Sequence, residues 1–227
     1  KSVYKMQKEF DLKKALAPFF VPAALPLIVE LVDSYGVHIR ISKQRNSKLG
    51  DYRAPHPQIS QFHCISMNEN LNPHAFLITF IHEWAHLEVY KKYGNQVQAH
   101  GEEWKQMFAF LMQDFMNERI FPPDVLHALQ GYFKHTYAAT MRDLHLQRVL
   151  DSYGSRTDYS GQKNPLSKDM ETGLSEAFVE QIKENAYFVY QNKVFLRKEK
   201  LRKNYLCIDK ASGAKYRFHP LAKVWAL

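Results

Sequence analysis

Two histidines four residues apart, His82 and His86, enclose a glutamate, Glu83, in the run HEWAHLEVYKKYGNQVQAHGEEW. On a helix, residues at this spacing share a face, so two imidazoles point at one position and the carboxylate lies beside them. Zinc hydrolysis needs that arrangement: two histidines hold the metal, and the glutamate takes a proton from the water it carries. The bland reading is a pair of ordinary histidines on an amphipathic helix. A catalytic zinc also requires a third protein ligand and an open fourth position. The scheme with Gly three residues after the second His and a further His three later fails, because Val89 and Lys92 stand there. Glu102, Glu103 and Glu118 are possible ligands on the following segment. His100 is the stronger candidate. It follows a turn at Gly94, directly precedes a helix start, and has Gly101 beside it to allow close approach of the backbone. The other eight histidines show no ligand spacing; His74 lies two turns before His82.

The elements that must carry these residues are partly legible. Asn72 caps a helix with Pro73 at its first position, Lys91 and Lys92 in its last turn and Gly94 after its end. A second helix is expected from Gly101 to Asn117, with further helical patterns at 122–135 and 140–151. Residues 1–35 read as helix broken by prolines. Val37–Ser42 and Phe62–Asn68 read as strands, and the polar stretch between them as a loop or hairpin. Ser152–Asp169 has the composition of a linker. Beyond it AYFVY, VFLRK, NYLCID and AKYRFHP read as short strands, with a turn at Ala211–Gly213, forming a small barrel-like or sheet module.

Composition bounds the class. The chain has 227 residues, 45% hydrophobic and 24% charged, as in a soluble globular protein. The one apolar run, Ala15–Val32, contains Pro18, Pro22, Pro26 and Glu30, which argues against a membrane span. No signal peptide is visible, and Cys64 and Cys207 form neither a disulfide framework nor a zinc knuckle, so the expected location is the cytoplasm, with the nucleoid as an extension. Net charge is +8, and residues 171–227 hold 11 Lys+Arg against 6 Asp+Glu. A polyanionic partner and a merely basic surface explain this equally well.

The runs ISMNENLNPHAFLITFIHEWAH, HGEEWKQMF and IFPPDVLHAL resemble the SprT-like metalloprotease family, which includes the Spartan proteases. RNSKLGDYR is similar to the family's Arg-x-x-x-x-Gly loop, and KHTYAATMRDLHLQRVLDSYG to the end of its catalytic domain. The tail resembles the C-terminal module of a bacterial, Bacteroidetes-type branch. The resemblance implies one zinc ion on His82, His86 and His100, with Glu83 as catalytic base. The implied fold is α+β: a helical zincin-like catalytic domain with a short β-sheet over residues 1–155, a linker at 156–170, and a small basic β-module at 171–227. Many relatives carry a four-cysteine zinc ribbon; this chain has only Cys207 in that region.

The resemblance further implies a protein substrate trapped on DNA, and proteolysis stimulated by DNA, single-stranded or junction-containing. Candidate nucleic-acid contacts are Arg40, Lys43, Arg45, Lys48 and Arg53 near the first strand, and Arg197, Lys198, Lys200, Arg202 and Lys203 in the module, interleaved with Phe195, Tyr205 and Tyr216. The competing reading makes those aromatics a core and the cations its solvated face. Tyr132, His135, Tyr137 and Arg142 are candidates for stabilising the oxyanion. Rival functions are a binding module with a structural zinc, a DNA-independent zinc protease, and a small-molecule amidohydrolase. The last wants a cysteine ligand in a Gly-rich setting, which Cys64 lacks.

Overall fold

The computed structural model describes residues 11–45, 47–135, 143–157, 159, 161 and 174–227. The chain divides into two compact units, Lys1–Gln162 and Lys163–Leu227. The first contains α1 (Leu12–Leu16), α2 (Leu25–Tyr35), β1 (His38–Ser42), β2 (Gly50–Arg53), β3 (Cys64–Asn68), α3 (Pro73–Tyr93), α4 (Glu102–Met112), α5 (Pro123–His135) and α6 (Leu144–Asp151). Together with the second unit's strands this is a mixed α+β chain with two sheets. Among the described residues no helix is long and apolar enough to cross a membrane.

α3 runs through the core of the first unit. Every residue from Pro73 to Ala85 is buried, so the helix is enclosed on all sides rather than on one stripe. Phe20 meets Phe76 and Phe80 edge-on, and Tyr35 meets Trp84 edge-on. The helix begins and ends as its sequence dictates: the Asn72 side chain accepts from the Ala75 N–H at 3.0 Å, and Gly94, at φ 59°, closes the other end. The Asn72 amide also donates to the carbonyls of Leu150 and Gly154, tying the helix start to the end of α6.

The three-stranded sheet has the order β1-β3-β2, with β1 parallel and β2 antiparallel to β3. Here the structure differs from the sequence reading. Part of the expected loop is β2, whose four residues GDYR contain one apolar side chain and so present no alternation to detect. The helix expected to reach Asn117 ends at Met112 and passes into a 3-10 turn, Gln113–Phe115. The compositional linker begins inside the first unit. Tyr153 is buried, the Arg156 N–H and Nε donate to the carbonyls of Asn70 and Glu69, and Tyr159 Oη bonds His74 Nε2. Residues 162–170 of the expected linker lie outside the described residues.

The second unit is one antiparallel sheet of β4 (Ser175–Phe178), β5 (Tyr187–Tyr190), β6 (Lys193–Lys200), β7 (Tyr205–Asp209), β8 (Lys215–Phe218) and β9 (Lys223–Ala226), in the order β4-β9-β5-β6-β7-β8. Among the described residues no ladder joins β4 to β8, so the sheet is open and not a barrel. β4 and β9 go beyond the expected strands; each has four residues and gains its partner only from the far end of the module. Gln191 and Asn192, both with positive φ, make the two-residue turn between β5 and β6. Phe188, Phe195, Cys207, Phe218 and Val224 form the centre of a small core.

Candidate metal centre

His82 and His86 stand one turn apart on α3, and the loop after Gly94 returns His100 to them just before α4. Their Nε2 atoms lie 3.2 Å (His86–His82), 3.1 Å (His86–His100) and 3.3 Å (His100–His82) apart. Three nitrogens held about 2.0–2.1 Å from one tetrahedral ion lie about 3.3 Å from each other. A neutral imidazole has one N–H, so three converging ring nitrogens cannot satisfy one another as donors and acceptors. A cation at their centre satisfies all three. Among the described residues these histidines are the one group of three or more metal-ligating side chains so placed. Glu102 instead faces Lys105 at 3.7 Å.

Burial prepares the nitrogens for a metal. It holds His82 down at about 2 and His86 at about 4, with the neighbouring histidines adding to the effect, so both rings are neutral at pH 7 as ligation requires. Trp104, itself buried, forms a plate beneath the triad. Its ring centroid lies 4.6 Å from His82, 5.3 Å from His86 and 5.0 Å from His100, and Phe108 stacks against it. His82 Nδ1 has no hydrogen-bond partner among the described residues, so packing against Trp104 and Phe108 sets that ring's orientation.

Glu83 shares a cavity of about 640 Å³ with the three histidines, Gly50, Tyr52 and Gln147. Burial raises its carboxyl to about 7; Asp51 adds to the rise, while the Tyr52 backbone N–H, Lys48 and Arg45 oppose it. A carboxylate at that value is matched to taking and returning a proton near neutrality. β2 presses directly on it. A Cβ at Gly50 would lie 2.7 Å from Glu83 Oε1 and 2.9 Å from Thr79 Cγ2, so only glycine lets the strand approach.

The motifs that carry the resemblance contain Gly50 and Trp104 but give neither a role at the site. Two signals were present: Gly50 closes the Arg-x-x-x-x-Gly run, and Trp104 closes His-Gly-x-x-Trp. Nothing in the sequence singles out Tyr52. The oxyanion candidates fare differently. Tyr132 is buried against Phe108 and Phe133 and does not line the cleft. Tyr137, Arg142 and the His135 side chain lie outside the described residues. His74 is enclosed by Phe121, Tyr153 and Tyr159, away from the triad.

The structure places the expected cations as follows. Arg45 is built into the sheet: Nε donates to Asn68 Oδ1 at 2.8 Å, Nη1 to Ser66 Oγ at 3.0 Å and Nη2 to the Ser66 carbonyl at 3.3 Å. Lys48 and Arg53 both pair with Asp51, at 2.7 and 2.9 Å, while Arg40 and Lys43 are exposed. In the module, Arg197 lies over the Tyr205 ring and Lys198 donates to Asn185, leaving Lys200, Arg202 and Lys203 exposed. Phe195 and Tyr205 are core residues, so of the three interleaved aromatics only Tyr216 presents a ring to solvent.

Residues 27–127 match the model of the SprT-like family, a span that includes Arg45, Gly50, His82, Glu83, His86, His100 and Trp104. No curated protein and no solved structure matches the chain.

Proposed function

From a SprT-like domain with three convergent histidines beside a buried glutamate, we propose a zinc-dependent peptidase. The observation that carries this reading is the 3.1–3.3 Å spacing of the three Nε2 atoms with Glu83 in the same cavity. His82, His86 and His100 would hold the ion, which when bound supplies an acidified water and polarises the scissile carbonyl. Glu83 accepts the proton of the attacking water and delivers it to the departing amine. The Tyr52 N–H fixes the carboxylate for both transfers. Trp104 keeps the three rings in place, and Gly50, having no side chain, lets β2 lie against Glu83 without a clash. A purely structural zinc has no use for that carboxylate.

The substrate class we favour is protein bound or crosslinked to DNA, cut in the cytoplasm or on the nucleoid, and the tail suggests a Bacteroidetes-type bacterial branch. The charge of +8 and the exposed Arg40, Lys43, Lys200, Arg202 and Lys203 support it. The test is cleavage of a DNA-binding protein, with and without single-stranded DNA, by the wild type and Glu83→Gln. DNA-stimulated cleavage lost in the variant is the expected result. Cleavage indifferent to DNA keeps the peptidase and removes the DNA link. Cleavage undiminished in a zinc-loaded Glu83→Gln protein ends the assignment.

A further inference from the structure

The sheet of the first unit has a second cavity, of about 300 Å³, on the face turned away from α3. Alternation along the strands puts it there. Ile39, Ile41, Ile65, Met67 and Tyr52 point into the core. In register with one another on the opposite face stand Arg40, Ser66 and Asp51 in one row, and Cys64 and Arg53 in the next.

Arg40, Arg45 and Arg53 all line this cavity, with Asp51 as the one carboxylate, so three guanidiniums against one acid leave two positive charges. The acid is already engaged: its Oδ1 meets Lys48 and its Oδ2 meets Arg53 Nε. Arg45 is immobilised by its three hydrogen bonds to Asn68 and Ser66. The Arg40 guanidinium and the terminal nitrogens of Arg53 have no hydrogen-bond partner among the described residues. Like charges gathered in one small cavity repel each other unless an anion joins them. Guanidinium forks match tetrahedral oxyanions, which carry acceptor oxygens on two positions in a phosphodiester and on three or more in a free phosphate; Arg40 and the terminal nitrogens of Arg53 offer the open donors, and Arg45 adds fixed charge beside them. Bracing by Asp51 and Ser66 lowers the ordering cost of binding.

We infer that the Arg40–Arg45–Arg53 cavity is a phosphate site, for a phosphodiester of a nucleic acid strand or for a free phosphate. Asp51 lines both this cavity and the metal cleft, so an occupant sits across one strand from Glu83. As a nucleic-acid contact the site rests on the DNA reading above; as an anion site it stands without it.

Arg45 is unsuited to the test, since its loss would loosen the loop before β2. The test uses the zinc-loaded full chain and Arg40→Gln/Arg53→Gln. In the first arm, thermal unfolding is followed with inorganic phosphate against chloride at equal ionic strength. Phosphate should raise the wild-type Tm and leave the variant unmoved. In the second, binding of a labelled single-stranded oligonucleotide is measured across salt concentrations. Losing one phosphate contact should reduce the slope of log affinity against log salt by about 0.7. Both changes together identify a nucleic-acid phosphate. A lost Tm response with an unchanged slope identifies a free phosphate. A wild type that responds to phosphate but binds no oligonucleotide removes the DNA reading and keeps the site. No difference between wild type and variant in either arm overturns the site. Lys13→Gln/Lys14→Gln, at two exposed lysines of α1, serves as the surface-charge control, expected to keep the phosphate response; losing it there also overturns the site.

Discussion

Buried polar side chains are distributed unequally between the two units. In the first they are Ser66, Asn68, Asn72, His74, Thr79, His82 and Glu83; in the C-terminal sheet, among the described residues, Asp209 stands alone. Asp209 is explained locally, because its Oδ1 accepts from the N–H groups of Ala211 and Ser212 at the turn it opens. Most of the first group are explained in the same way. Asn72 caps α3, Thr79 donates to the Ala75 carbonyl, Asn68 and Ser66 hold Arg45, and His74 meets Tyr159 through Nε2, although its Nδ1, like that of His82, has no partner among the described residues. His82 and Glu83 are left over. Burial disfavours the charged form of each, and the protein compensates only in part, with one backbone N–H to Glu83 and none to His82 Nδ1. Polar groups kept buried at such a cost mark the place where the fold serves chemistry instead of its own stability. The C-terminal sheet contains no such pair among its described residues.

That contrast is broken or sharpened by substitutions in each unit. The largest effect is expected from His86→Ala. Zinc affinity, read by competition with a chromogenic chelator, should fall by more than the roughly 10–100-fold that loss of an outer-shell partner costs. The melting of the C-terminal unit should not change. Glu83→Gln should retain zinc and lower kcat by about 10²–10⁴. It should also raise the Tm of the metal-free chain, because an amide carries no ionisation penalty in that pocket; an unchanged Tm would show that Glu83 is not strained there. In the other unit, Phe195→Ala removes a buried ring that packs on Phe188 and Phe218. It should destabilise that sheet by about 3–5 kcal/mol while zinc affinity holds, and parallel loss of both would tie the units together. Gly50→Ala drives a methyl into the Glu83 carboxylate, costing about 1–3 kcal/mol, with activity reduced and zinc retained.

The smallest effect is a pH dependence. Burial holds His74 at about 4 against 6.5 when unfolded. The unfolded chain therefore binds the extra proton between those values, so stability is full above 6.5 and falls as pH drops toward 4. His82 and His86, held down in the same way, add to the slope; His74's own share of the loss at pH 5.5 should be on the order of 1 kcal/mol, read as the difference in denaturant midpoints between wild type and His74→Gln. An equally steep profile in that variant would assign the effect elsewhere.

The legible parts of the molecule were those whose signals are local. α3 announces itself through Asn72, Pro73 and Gly94, and its two histidines through helical spacing. His100 was recoverable because a glycine and a helix start stand beside it. The obscure parts depend on partners distant in sequence. β2 is a strand because β3 lies next to it, and β4 and β9 because they meet each other. Arg45 reads as a surface cation until Ser66 and Asn68, more than 20 positions away, turn it into a brace. Trp104 looks like any core aromatic until the fold sets three imidazoles on its ring.

The cap of α3 has a consequence in the order of synthesis. Asn72 finishes its hydrogen bonding with Leu150 and Gly154, 78 and 82 residues downstream, and Arg156 then closes over Glu69 and Asn70. A chain made from its N-terminus exposes the histidine-bearing helix long before those carbonyls exist. The histidine-bearing half of a nascent chain is thus complete in sequence while its central helix still lacks its anchor. Maturation of the centre waits on a segment that contributes no ligand to it.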